Sequence, residues 1–293
     1  MNIFTPSRIA CGSLLLVAAC FAAPLLAQGR GGRGGPPPVV GKTGAPIDMT
    51  GYWTAVITED WHERMLTAPK GDFGTGAPGR VAVPGGGVVG RGPNPSTLGN
   101  IPYNVTGARL ALQWDPAKDE AEGNQCKAYG APGIMRLPTH LHITWQDDTT
   151  LKMEADFGNQ TRLFHFVVPA MPGQPVAKMT APPGEQPSFP GYSVAQWSQI
   201  MGGREGWPRG GNLKVVTTNL KAGYYWKNGM PYSANAVLTE HFRVQKLPDN
   251  TEWLVFSQMV EDPEYLTQPY IVNYHFKKLA DGSKWKPTPC SAS

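Results

Sequence analysis

Backbone punctuation is the strongest constraint on what this chain can fold into: of 293 residues, 35 are glycine and 29 proline, about a fifth of the whole. Proline removes a helix hydrogen bond and glycine loosens the turn it occupies, so a long coiled coil or helical bundle is excluded. The glycines keep no three-residue period, which excludes collagen. With 9 Trp, 10 Phe and 10 Tyr, the chain carries far more core-forming material than a disordered one. A packed, loop-rich domain is what remains.

Met1 to Arg8 carries one positive charge, Ile9 to Leu26 is almost wholly apolar, and Ala27 precedes the polar Gln28. This pattern predicts a secretory signal peptide, residues 1–27, cut after Ala27. The 18 apolar residues are long enough to raise a membrane anchor, but Ala, Gly, Ser and Cys dilute them, so no transmembrane segment is expected after cleavage. Val17-Ala18-Ala19-Cys20 also fits a lipoprotein signal, with Cys20 as a lipid-anchored first residue; the apolar residues that follow it fit that alternative less well. Cleavage takes one Arg from 26 basic residues, leaving 25 against 22 acidic, a net charge of +3. That is too small a charge to imply a nucleic-acid partner, and Gly29 to Gly35, with Arg30 and Arg33, reads as a flexible tether.

Loss of Cys11 and Cys20 leaves Cys126 and Cys290 as the mature cysteines. In an oxidising compartment, periplasmic or extracellular, they are expected to join, the alternative being two free thiols. Neither has a CxxC partner, so redox and haem-attachment readings have no support.

The organisation predicted from residue pattern is a Gly/Pro-rich tether over 28–46 and one domain over 47–293. Its first strand signal is Met49 to Ile57, and a punctuated excursion follows over 69–107. Asp115-Pro116 opens one short helix, Asp as N-cap and Pro at the first position. A second loop spans Pro169 to Pro190. Strand signals recur at 139–146, 151–157, 160–168, 192–197, 212–220, 234–244, 252–260 and 269–278. Eight or nine strands with short turns predict an all-β fold, an antiparallel β-barrel of about 8–10 strands. No fixed-period repeat suggests a propeller.

Gly51-Tyr52-Trp53 at the head of the first strand resembles the Gly-x-Trp signature of lipocalin-like barrels. Cys126 to Gly133, Thr161-Arg162-Leu163, Gly191 to Trp197, Glu240-His241-Phe242 and Glu261 to Tyr270 are together similar to a large group of secreted, uncharacterised bacterial β-rich proteins. The chain departs from that group after Leu163, where Phe164-His165-Phe166 stands in place of an Asp-Gly-Arg turn. The resemblance implies secretion and a β-barrel and brings no activity with it.

Site residues then follow from strand parity. With Gly158-Asn159 as a two-residue hairpin turn, Phe157 faces Gln160, Ala155 faces Arg162 and Met153 faces Phe164. One face collects Leu151, Met153, Ala155, Phe157, Phe164 and Phe166, with Arg162 as its single charge. In 234–244 the same alternation puts Glu240 on the apolar face among Ala236, Leu238, Phe242 and Val244. An unpaired buried ion costs several kcal/mol, so inward Arg162 and inward Glu240 predict each other as partners. Such a pair either fixes register or anchors a ligand, the guanidinium being able to hold a carboxylate, sulfate or enolate oxygen, in an aromatic pocket with Trp53, Trp145, Phe164 and Tyr274 as walls.

His140-x-His142 followed by His165 is spaced as zinc ligands on neighbouring strands can be, resembling the three-His site of α-type carbonic anhydrases without the residues that surround it. Rim histidines on a polar face are the more ordinary reading, and no cofactor is expected. There is no Gly-x-Ser-x-Gly elbow, HExxH, Walker loop or dinucleotide fingerprint. Asp119, Glu120 and Glu122 read as helix-start charges, and Glu59 to Arg64 as a solvated loop cluster. The function expected is a secreted or periplasmic barrel that binds a small, partly apolar molecule. Two alternatives stay open: a cofactor-independent isomerase, lyase or hydrolase using Glu240 as acid or base with Arg162 as charge stabiliser, or a structural or interaction protein.

Overall fold

The computed structural model describes residues 40–57, 81–83, 87–89, 100–167, 178–199 and 211–292. The signal peptide, Cys20, the Glu59 to Arg64 cluster and most of 69–107 lie outside the described residues. Thirteen strands occur among the described residues, in chain order β1 (Gly51–Ala55), β2 (Val81–Val83), β3 (Gly87–Val89), β4 (His140–Trp145), β5 (Thr150–Ala155), β6 (Gln160–Phe166), β7 (Tyr192–Gln199), β8 (Gly211–Thr218), β9 (Gly223–Trp226), β10 (Met230–Tyr232), β11 (Val237–Lys246), β12 (Glu252–Glu261) and β13 (Tyr270–Lys278). Nine of them close a barrel in the order β1-β13-β12-β11-β8-β7-β6-β5-β4, with β4 returning to β1. β2–β3 and β9–β10 are separate two-stranded pairs.

Neighbours in the barrel are antiparallel except β6 and β7, which run parallel with Phe164 opposite Ser193. A parallel pair cannot be joined by a tight hairpin, and the chain takes the 25 positions between Phe166 and Tyr192 to return to the same end. Nine strands with one parallel junction differ from the eight-stranded up-and-down meander of lipocalins, so what the Gly51-Tyr52-Trp53 resemblance shares with this fold is a closed barrel.

Period-2 sequence produces the interior. Along β8 burial alternates strictly, with Leu213, Val215 and Thr217 inward; along β6 it is Arg162, Phe164 and Phe166. Phe256 on β12 sits among Phe242, Tyr274 and Phe276 at ring separations of 4.7, 5.5 and 6.0 Å. Each such ring contributes roughly 2–3 kcal/mol on burial, the dominant favourable share of the fold. Outward positions such as His142, Lys152, Glu154, Lys214 and Arg243 are polar, and Ile271 is an exposed apolar one. Among the described residues no helix is long and apolar enough to cross a membrane.

One end of the barrel is plugged by residues 126–137. This stretch holds a 3-10 turn (Lys127–Tyr129) and a short helix, and its Tyr129, Ile134, Met135 and Leu137 join the barrel core. Cys126 is bonded to Cys290, 164 positions away, as expected, which ties the plug to the C-terminal tail. Three short helices occur among the described residues where one was expected: α1 (Val105–Leu112), α2 (Pro116–Ala121) and the plug helix α3 (Ala131–Ile134). α2 begins as its sequence predicts, Asp115 Oδ1 accepting from the N–H groups of Ala117 and Lys118.

Two boundaries move. Residues 40–46, placed in the tether from composition, are packed: Trp197 Nε1 donates to Gly41 O at 2.8 Å and Lys42 N to Asp148 O at 2.9 Å. The β5–β6 register is Leu151–Phe164, Met153–Arg162 and Ala155–Gln160, two residues from the expected pairing. The turn is longer than Gly158-Asn159: Asn159 N donates to Asp156 O, Gly158 has φ +87°, and Phe157 leaves the ladder to bridge Thr288. An even slip keeps every side chain on its face, so the parity argument survives it.

Candidate functional site

Arg162 and Glu240 meet inside the barrel, their side chains 4% and 0% exposed. Arg162 Nη1 donates to Glu240 Oε1 at 3.0 Å and Nη2 to Oε2 at 2.5 Å. Nη2 also donates to Thr217 Oγ1 at 3.1 Å and reaches Ser193 Oγ at 3.5 Å. Ser193 and Thr217 are opposite each other on β7 and β8, Glu240 and Gln258 on β11 and β12. Five successive strands thus contribute one inward polar residue each, and Gln258 Nε2 donates to Pro132 O in the plug at 2.7 Å. This arc is where the apolar barrel meets the plug.

The arc leaves little room. The void beside Arg162, bordered by Tyr129, Ile134, Met135, Met153 and Gln160, measures about 10 Å³, one water at most. Arg162 Nε, buried and without a partner among the described residues, matches such a water. The charge of the guanidinium is already neutralised by Glu240, and both carboxylate oxygens of Glu240 accept from it.

The expected walls are brought together, but against one another. Phe164 packs on Phe242 at 5.7 Å with the Arg162 guanidinium over its ring, Trp145 on Phe166 at 5.3 Å and Tyr274 on Phe256 at 5.5 Å. Trp53 is fully buried and donates Nε1–H to Met49 O at 2.9 Å.

The histidines sit on the outer face, as parity predicts, without converging. His140 Nδ1 lies 2.7 Å from Asp156 Oδ2, and Asp156 also accepts from Thr139, His140 and Lys286, tying β4 to the tail. His142 Nδ1 lies 3.2 Å from Glu154 Oε2, and its ring stacks on Tyr52 at 4.2 Å. His165 stacks on Tyr192 and pairs with Thr150, four positions along β5 from Glu154, roughly 13 Å at the strand rise. The spacing reading of a three-His centre is thus corrected: among the described residues no group of three or more His, Cys, Asp or Glu could hold a metal ion. Partial burial holds His165 below the ordinary histidine range, against the opposing pull of Asp147 and Glu185.

A roomier site lies between α1, α2 and the β9–β10 hairpin: a cleft of about 320 Å³ with Trp114, Tyr224, Tyr232 and Tyr265 in its lining. Its floor is Asp119, 4% exposed. Lys127 Nζ donates to Asp119 Oδ1 at 2.6 Å and the Tyr224 hydroxyl to Oδ2 at 2.8 Å, while the same ammonium stands 5.5 Å from the Tyr224 ring centre. Burial, then the hydrogen bond to Asp119, pushes the Tyr224 phenol far up, so it is a neutral donor. Gly223 lets the hairpin approach, since a Cβ there would lie 2.5 Å from both Lys127 O and the Tyr232 hydroxyl.

Sequence reasoning passed over this cleft. It treated Asp119 as a helix-start charge and left Gly223 to Tyr232 unassigned, although Asn228-Gly229 between Gly223-Tyr224-Tyr225-Trp226 and Met230-Pro231-Tyr232 is a strong hairpin signal. Gly229 takes φ +85°, against Trp114. Comparison with protein-family models, curated proteins and solved structures finds no match.

Proposed function

We propose that the protein is a secreted or periplasmic binding protein in which the barrel is a filled scaffold and a small, partly apolar ligand sits in the cleft over Asp119. The carrying observation is the contrast in room: about 320 Å³ at the cleft against about 10 Å³ beside Arg162. The former lies within the range of small-molecule sites, and aromatic walls over a few fixed polar groups are their usual lining. Secretion is supported by the leader pattern of residues 1–27 and by the Cys126–Cys290 bond, which suits an oxidising compartment. The isomerase, lyase or hydrolase reading has less behind it, because both oxygens of Glu240 are held by Arg162. In this reading the pair serves the fold.

The test is native mass spectrometry of the mature chain purified without added ligand, beside Tyr224→Ala and Met153→Ala variants. An organic adduct that is lost in Tyr224→Ala and retained in Met153→Ala supports the cleft. An adduct that survives Tyr224→Ala and disappears when the barrel interior is altered would overturn it.

A further inference from the structure

The charges of the cleft are arranged in pairs. Lys127 neutralises Asp119, and Lys118 Nζ stands 3.8 Å from Glu122 Oε1 across one turn of α2. Asp115 uses one oxygen to cap α2. An anionic ligand would meet three carboxylates and no cation without a counter-charge. A cationic ligand would compete with Lys127, which already lies between the Asp119 carboxylate and the Tyr224 ring.

What the cleft still offers is neutral hydrogen bonding. The Tyr224 hydroxyl donates to Asp119 and keeps its oxygen as an acceptor. Lys127 directs one N–H at Asp119 and retains two more. Asp115 keeps a second oxygen, and Gln113 has an exposed amide. These donors and acceptors line the same cleft as the rings of Tyr224 and Tyr265, both half-buried. Free donors and acceptors in the same cleft as an aromatic face match a ring that carries hydroxyls on its edge and C–H groups on its face.

We infer that the cleft binds a neutral saccharide, its C–H face against the Tyr224 and Tyr265 rings and its hydroxyls on Lys127, Tyr224 and Asp115. This rests on the binding-protein reading of the same site and names its ligand class. A free sugar and the end of a polysaccharide share this chemistry.

The mature full-length chain is titrated calorimetrically with glucose, galactose, mannose, xylose, arabinose, N-acetylglucosamine and their β-linked disaccharides, and with choline and benzoate as cationic and anionic aromatic-site probes. Retention on insoluble cellulose, xylan and chitin is measured in parallel. The expected result is one saccharide bound at micromolar to millimolar Kd, weakened about tenfold or more by Tyr224→Ala and by Lys127→Met, and less by Tyr224→Phe, which keeps the ring. Circular dichroism and melting temperature confirm that each variant folds. Binding of free sugar alone assigns a soluble ligand; retention on an insoluble polymer assigns a polysaccharide end. Tyr224-dependent binding of choline or benzoate with no saccharide bound overturns the ligand class and leaves the cleft as the site. Absence of Tyr224-dependent binding for every probe, soluble and polymeric, overturns both.

Discussion

Arg162 on β6 and Glu240 on β11 stand 78 positions apart in sequence and share two hydrogen bonds inside the barrel, with two whole strands between them in the sheet. They are therefore joined across the interior rather than along the ladder. Removing one partner leaves the other charge buried and unpaired. Arg162→Met or Glu240→Leu alone is expected to destabilise by about 3–5 kcal/mol, while the double variant recovers most of that loss. Urea midpoints for the four proteins of a double-mutant cycle measure this. Additive losses with no recovery would show that the pair is not a closed unit.

The Cys126–Cys290 bond acts on the plug as well as on the unfolded chain. It closes a sequence separation of 164, for which the chain-entropy relation gives about 5 kcal/mol. Around it, Ser291 N donates to the Tyr129 hydroxyl in the plug and Ala292 N to Glu120 Oε1 on α2, so the tail, the plug and α2 form one contact region. Replacing both cysteines by serine is expected to lower the denaturation midpoint and to raise hydrogen exchange at Tyr129 and Ile134 before it does so at Phe256. Exchange that rises uniformly across the barrel would place the effect in the unfolded state alone.

Much of the barrel was legible because side-chain parity is a local property. Leu151, Met153, Phe164 and Phe166 alternate with polar neighbours, and that alternation survives a register slip of two. Arg162 and Glu240 could be matched because each was the lone charge on an apolar stripe. What lacked a local signal was set by tertiary contact. Ile134, Met135 and Leu137 carry no periodicity and are buried only because the plug enters the barrel. The parallel β6–β7 pairing depends on strand order, which no window of residues encodes. Asp119 is buried not by its own helix but by Tyr224 and Lys127, 105 and 8 positions away. The hairpin that carries Tyr224 did have its signal, in Asn228-Gly229.

Gly158 couples the β5–β6 turn to the plug. Its φ of +87° disfavours any side chain, and a Cβ there would lie 2.1 Å from Tyr129 Cδ1. Gly158→Ala adds a backbone penalty of about 1–2 kcal/mol to an overpacking cost of about 1–3 kcal/mol. The variant is expected to melt several degrees lower and to show altered Tyr129 contacts by nuclear magnetic resonance. Gly184, also at positive φ but with nothing within 4 Å of its Cβ position, carries the backbone penalty alone, so Gly184→Ala is the control. Equal losses for the two would remove the contact with Tyr129 from the explanation.

His165 and His241 set the acid side of the stability profile. Desolvation lowers both below the ordinary value of 6.5, His241 being lowered further by Lys214, which faces it across the β8–β11 ladder. For a histidine lowered on folding, the unfolded chain takes up the proton first as pH falls. Stability from these groups is therefore fully present above pH 6.5 and is lost as pH drops from 6.5 through the folded values, where the loss levels off. The melting temperature is expected to decline over that window in the wild type and to decline less in His165→Gln and His241→Gln, with the smallest slope in the double variant. Since Asp147, Asp249 and Asp281 are held below 3.8 by hydrogen bonds within their turns, their contribution falls away at lower pH and does not overlap the histidine window. A wild-type melting temperature that rises as pH falls from 6.5, or a slope that both glutamine variants leave unchanged, would show that neither histidine is held neutral by the fold.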